Sequence, residues 1–178
     1  ISLDVAGASP LKVGGGVEAN RLVAALQEQC RILESTNLAL AALEGWFTLD
    51  AEAPRLLGSR CKACGTVYFP KQTSFCRNPA CEGTEFEEAP LSRRGRVWSC
   101  TNAAYQPPEP FVPTSDPFEP FTIAAVELEA ERMVVLGQVV KGVDVTDLKV
   151  GQEMELVLDT LYTDAESEKL IWKWKPVA

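Results

Sequence analysis

No histidine occurs anywhere in these 178 residues. That absence removes the Ser-His-Asp triad, the Cys-His pair and the His-ligated zinc hydrolase as devices within this chain. Acid–base chemistry would fall to Asp, Glu, Lys, Tyr or Cys. Positive charge is also short, with 17 Lys and Arg against 25 Asp and Glu and a net charge of −8. An acidic chain is a poor general binder of nucleic acid or of an anionic membrane. No apolar run approaches the roughly 18 residues needed to span a bilayer, and no basic-then-apolar leader is visible. A cytoplasmic protein that binds neither nucleic acid nor membrane is therefore expected. Internal repeats are absent too. What remains is a chain that is 46% apolar, enough to bury a core. Its length suits one large domain, or two small ones with extensions.

The chain divides by pattern. Residues 1–16 read as a flexible lead-in ending in Gly14-Gly15-Gly16, and 17–57 as an N-terminal helical segment. Within it, Leu22, Leu26, Cys30 and Leu33 form one stripe of a 3.6-residue period. Ser35 and Thr36 offer caps for a second short helix, NLALAALEGW. Residues 58–90 hold four of the six cysteines and little apolar periodicity. Residues 91–178 read as strands: RGRVWSCTNAAY, PFTIAAVELEA, RMVVLGQVV, EMELVLDTL and KLIWKWKPV. Met154, Leu156 and Leu158 alternate with Glu153, Glu155 and Asp159, and Leu170, Trp172 and Trp174 with Lys173 and Lys175. The expected fold is mainly β with N-terminal helices: a rubredoxin-like zinc ribbon followed by a five-stranded OB-type barrel, with a small sandwich as the alternative to the barrel.

Cys61, Cys64, Cys76 and Cys81 are spaced C-x2-C-x11-C-x4-C. A two-residue gap with Gly65 directly behind it lets one tight turn present two sulfurs and backbone N–H groups to a metal. Asn78-Pro79 would turn the wider second pair. Two such knuckles form a ribbon around zinc, which favours four thiolates in a tetrahedron. Disulfides would suit a secreted chain, which nothing here marks. Iron also accepts four thiolates, but the second knuckle is unlike the tight pair of an electron-transfer site. Four sulfurs fill the coordination sphere, so the metal is expected to be structural. Cys30 and Cys100 sit in apolar patterns and read as small buried hydrophobes.

The knuckle leading into YFP, the stretch SRRGRVWS, the strand PFTIAAVEL and the run LKVGQEMELVL follow one another in this order. In that order they resemble the acyl-CoA-associated zinc-ribbon and OB-fold proteins, over about residues 44–176. YQPPEPFVP…DPFEPF and the closing WKWKPV are most similar to partner subunits of thiolase-like steroid side-chain aldolases, and the benzoylsuccinyl-CoA thiolase partner is also similar. The resemblance implies a non-catalytic accessory subunit that supports a thiolase-fold acyl-CoA enzyme. That enzyme would be a retro-aldolase cleaving steroid side-chain CoA thioesters, or a thiolase of conventional or benzoylsuccinyl-CoA type. A heterotetramer with two copies of each chain is implied, with the CoA thioester as ligand of the complex.

Two surfaces are candidates within that frame. Tyr105, Phe111 and Phe118 lie in a proline-stiffened loop and suit a partner interface, or they fold over the barrel end. Arg93, Arg94 and Arg96 form the local basic cluster and suit a CoA phosphate, or they pair with acidic neighbours such as Glu87 and Glu88. Trp172 and Trp174 are expected in the barrel core rather than stacking on bases. A nucleic-acid module remains the alternative function, since ribbons and OB barrels both serve there. The barrel segment counts nine basic against fourteen acidic residues, which opposes it. A self-sufficient thioesterase has no visible nucleophile–base pair.

Overall fold

Strand β8, Glu153–Thr163, begins with the alternation read from the sequence: Met154 and Leu156 are fully buried, while Glu153 is exposed. A computed structural model describes residues 38–109, 111, 113, 115–164 and 167–177. Around β8 the chain builds a closed barrel. Strand β5 (Arg94–Ala103) pairs antiparallel with β6 (Phe121–Leu128), and β6 with β7 (Met133–Val139). β7 meets β9 (Ser167–Pro176) in parallel at Gln138↔Lys173 and Val139↔Trp174. β9 returns along β8, and β8 closes on β5 through Arg94↔Glu155, Gly95↔Met154 and Arg96↔Glu153. The ring is closed by two short ladders, β7–β9 and β5–β8. A single 3-10 turn, Val145–Asp147, capped by Asp144, links β7 to β8, and Gly151 supplies φ +84° where that link re-enters the sheet.

The core is filled by Trp174, Leu128, Met154, Leu156, Val97 and Val126, all essentially inaccessible. Trp174 fits because Gly137 faces it: a Cβ there would stand 2.8 Å from Trp174 Cδ1 and 3.0 Å from Trp172 Nε1. Gly137→Ala is accordingly expected to cost about 1–3 kcal/mol by overpacking, read as a lower urea midpoint with an unchanged m-value. Gly95 is equally constrained, since its Cβ would lie 2.4 Å from the Glu127 carbonyl oxygen.

The N-terminal helices expected from the sequence require correction. Among the described residues there is no α-helix. The segment read as the second helix instead contributes β1, Leu38–Ala41, which runs parallel to β9 from Leu38↔Ser167 to Ala41↔Leu170. β7 occupies only the far half of that β9 edge, so the near half offers free ladder groups, and this tertiary pairing outweighs the helix propensity of Leu and Ala. Gly45, at φ +76°, then turns the chain so that Trp46 and Phe47 reach the core. The first helical stripe, over 17–34, and the lead-in over 1–16 lie outside the described residues.

Between β1 and the barrel stands a three-stranded antiparallel sheet in the order β3-β2-β4: β2 Leu57–Cys61, β3 Val67–Tyr68 and β4 Phe86–Pro90. Its base is tied to the barrel by buried Leu56 and Leu91, whose backbones bond at 2.8 Å. The Ser92 N–H and hydroxyl both donate to Glu131 Oε1, at 2.8 and 2.9 Å, clamping the link onto the β6–β7 turn.

Candidate metal centre

The three-stranded sheet carries two turns at its outer end. In the first, the Gly65 N–H donates to the Cys61 carbonyl at 2.8 Å, with Gly65 at φ +74°, a conformation glycine adopts without strain. In the second, Asn78 Oδ1 accepts from the Ala80 N–H and the Asn78 carbonyl accepts from the Cys81 N–H. The four thiol sulfurs of Cys61, Cys64, Cys76 and Cys81 lie within 4.8 Å of one another. Cys61 and Cys81 are 3.8 Å apart and Cys64 and Cys76 are 3.5 Å apart. Zinc–sulfur bonds of 2.3 Å in a tetrahedron imply sulfur–sulfur edges of about 3.8 Å, so the donor set fits zinc in size and chemistry.

The surroundings fit as well. Gly83 walls the cluster so closely that a Cβ would stand 2.9 Å from Cys61 Sγ and 3.3 Å from Cys81 Sγ. Its N–H points to Cys81 Sγ at 3.3 Å. The Tyr68 hydroxyl lies 3.1 Å from Cys76 Sγ while accepting from the Arg77 N–H, and the Thr66 hydroxyl lies 3.2 Å from Cys64 Sγ. Such outer partners orient metal-bound thiolates and share their charge. The side-chain and backbone hydrogen bonds of Thr66 bring the Cys64 thiol down to about 6. At Cys81 the Gly83 N–H pulls downward, but burial and the three neighbouring thiols together push it up to about 12. The Tyr68 hydroxyl is raised, chiefly by its bond to Cys76. Four thiols packed this closely cannot all ionise at neutral pH unless a cation balances them. With four protein ligands no position is left for water, so the centre can hold the ribbon together but cannot activate a nucleophile. Thr66, Tyr68 and Gly83 escaped the sequence reading. Gly83, two residues behind Cys81, was the legible one.

The other candidates are placed as follows. Arg94 faces Glu153 and Glu155, each at 3.5 Å; Arg93 lies 3.8 Å from Glu155; and Arg96 donates to the Gly151 carbonyl at 3.1 Å. The acidic partners come from β8, whereas Glu88 pairs with Lys71. Phe111 and Phe118 pack with Phe121 into a three-ring cluster with centroids 6.0–6.1 Å apart, while Tyr105 stays 78% exposed. Trp172 is buried in a second cluster. Trp46 stacks on it at 6.2 Å, and the rings of Phe47 and Phe69 meet it edge-on at 5.7 and 5.9 Å. Cys100 packs against the core, with its thiol 4.0 Å from the Val145 carbonyl.

A four-thiolate ribbon joined to a closed five-stranded barrel defines a zinc-ribbon OB-fold protein. Residues 50–87 match the family model described as ChsH2, rubredoxin-like zinc ribbon domain, and residues 88–159 the model described as ChsH2, C-terminal OB-fold domain. A DUF35 domain-containing scaffold protein of Methanocaldococcus jannaschii is 35% identical over 125 residues, 68% of this chain and 82% of that one. The benzoylsuccinyl-CoA thiolase subunit BbsA of Geobacter metallireducens is 32% identical over 130 residues, 72% of this chain and 80% of that one. Among solved structures, the Ltp2-ChsH2(DUF35) aldolase superposes with a TM-score of 0.51 at 27% identity, covering 70% of this chain and 86% of that one. The chain belongs to the DUF35 family of ChsH2-type zinc-ribbon and OB-fold proteins.

Proposed function

We propose that this chain is a non-catalytic subunit that binds and supports a thiolase-fold acyl-CoA enzyme in the cytoplasm. The observation that carries the reading is likeness along most of the chain to proteins named as a scaffold, a thiolase subunit and a chain of an aldolase. The chemistry of the chain agrees. It contains no histidine, and its four clustered thiols suit a closed structural site. The reacting groups would then belong to the partner, and the CoA thioester would be a ligand of the complex.

The finer reading is a retro-aldolase acting on steroid side-chain CoA thioesters, supported by the aldolase superposition. A thiolase of benzoylsuccinyl-CoA type is the second reading, supported by the BbsA likeness. The two differ in stoichiometry of reaction: thiolysis consumes free CoA, whereas a retro-aldol cleavage does not. Co-expression with a thiolase-fold protein from the same genome should yield a stable complex, with two copies of each chain by mass. The complex should cleave an acyl-CoA, while this chain alone should do nothing. Dependence of cleavage on added CoA would select the thiolase. Turnover of acyl-CoA by the isolated chain, or failure to retain any thiolase-fold partner, would sink the subunit reading.

A further inference from the structure

Beneath the three-phenylalanine cluster lies a cleft of about 350 Å³ that shares no residue with the metal centre. It sits on the second and third strands of the barrel, β6 and β7, and is flanked by the β5–β6 loop and by β8 and β9. OB barrels commonly take ligands on this face, between the loops joining their first and last strand pairs. Phe111, Phe118 and Phe121 line one side, and Val139, Val143 and Leu161 supply further apolar wall. A second cleft of about 600 Å³ adjoins it, sharing Glu119, Lys141, Leu161 and Lys173.

Lys173 is the unusual member, with only 9% of its surface exposed. Its ammonium donates to Asp159 Oδ2 at 2.8 Å and to the Thr160 carbonyl at 3.1 Å. An ammonium has three N–H donors, so one remains beyond these two bonds, and Lys173 lines both clefts. Gln138, paired with Lys173 across the β7–β9 ladder, also lines the first cleft, and its amide makes no hydrogen bond among the described residues. Two donor-bearing side chains, neighbours across the ladder, therefore border a cleft walled by phenylalanines on one side and by polar groups elsewhere. Both cations around it are already paired, Lys173 with Asp159 and Lys141 with Glu119 at 3.0 Å, and Asp144, hydrogen-bonded by the Thr146 N–H and hydroxyl, leaves the rim net negative. With both cations paired and Asp144 unpaired, no net positive charge attracts an anion, so a neutral acceptor oxygen is the better match for a remaining N–H donor.

The geometry points to a small-molecule site in this cleft: an uncharged ligand with an aromatic or alicyclic body against the phenylalanines and one carbonyl oxygen accepting from Lys173 and Gln138. Its volume and its mixture of apolar wall with a few converging polar groups are those of small-molecule pockets in general. The site does not depend on which enzyme the chain accompanies, and it belongs to the full chain alone.

Prodan, an uncharged dimethylaminonaphthyl ketone whose emission moves to the blue in apolar surroundings, is the probe. Titration of the full chain should give a saturable blue shift. Lys173→Met and Gln138→Leu should each weaken binding about tenfold, the loss of one good hydrogen bond. Gln138→Leu touches no ion pair and so carries the test if Lys173→Met does not fold. Val143→Trp should fill the cleft and abolish the shift. Leu136→Ser, on an exposed position outside the cleft, should leave it unchanged. An unsaturable signal, full binding in Val143→Trp, or equal loss in Leu136→Ser would overturn the site.

Discussion

Removing the metal from the four-cysteine cluster is expected to unfold residues 62–85 while the barrel stays folded. The ribbon has little else to hold it. Between β2 and β4, Cys76 is the buried apolar residue, and the single ladder there is the short β3. Structural zinc contributes on the order of 10 kcal/mol in small zinc domains, against roughly 5–15 kcal/mol for the stability of an entire domain. The barrel has its own core, running from Val97 to Trp174. Metal analysis should find about one zinc per chain, as a closed four-thiolate site requires. A strong chelator should open 62–85 to proteolysis with most strand circular dichroism retained. Cys61→Ser should do the same, but Cys61 is fully buried and its loss mixes packing with ligation. Cys64→Ser separates the two, because Cys64 is exposed and its sulfur has no packing role to lose. Equal proteolytic opening in both variants would assign the effect to the metal. The sign with pH follows from the thiols: Cys64 ionises near 6 and Cys81 only near 12. Cation uptake at neutral pH must therefore expel protons, and retention should weaken as pH falls. A metal-free preparation that resists protease across 62–85 would refute the staple.

The parts of this architecture legible in the sequence are those whose signal is local. Period-two alternation in EMELVLDTL carried β8, and the glycine behind Cys64 carried the first knuckle. What escaped depends on distant partners. LALA at 38–41 favours helix by propensity, and only the vacant half of β9 makes it a strand. The arginines of SRRGRVWS were weighed against acidic residues near in sequence, yet strand closure brings Glu153 and Glu155 to them from about sixty residues away. Lys173 reads as the solvent face of an alternating strand. In the structure that face is covered, and Asp159 and Thr160 satisfy the ammonium. The bulge between Val97 and Ser99 has no sequence signature, and it leaves Trp98 61% exposed although it stands in an apolar run.

Trp172→Ala is expected to destabilise the barrel by about 3–5 kcal/mol. The side chain is where three parts of the chain meet. Trp46 and Phe47 come from the segment after β1, and Phe69 leaves the ribbon directly behind Tyr68. The indole N–H also donates to the Leu136 carbonyl at 3.3 Å, holding the half of β7 that does not pair with β9. Truncation would leave a cavity under four aromatic and strand contacts at once and an unmade bond on Leu136. The ribbon's angle to the barrel is set by this cluster together with the Leu56–Leu91 contact and the Ser92–Glu131 clamp. The variant should therefore loosen the ribbon as well as lower the melting temperature, by roughly 10 °C for a chain of this size. Trp172→Phe retains ring packing but not the N–H donor, and should recover more than half of the loss. Trp98→Ala, in the same barrel but largely in solvent, should stay within about 0.5 kcal/mol of the parent. Thermal unfolding followed by tryptophan emission, with the zinc kept bound, reads all three. Equal melting of the Trp172→Ala and Trp98→Ala variants would mean that the aromatic junction contributes no more than an exposed side chain, and that the Leu56–Leu91 contact and the Ser92–Glu131 clamp fix the ribbon on its barrel.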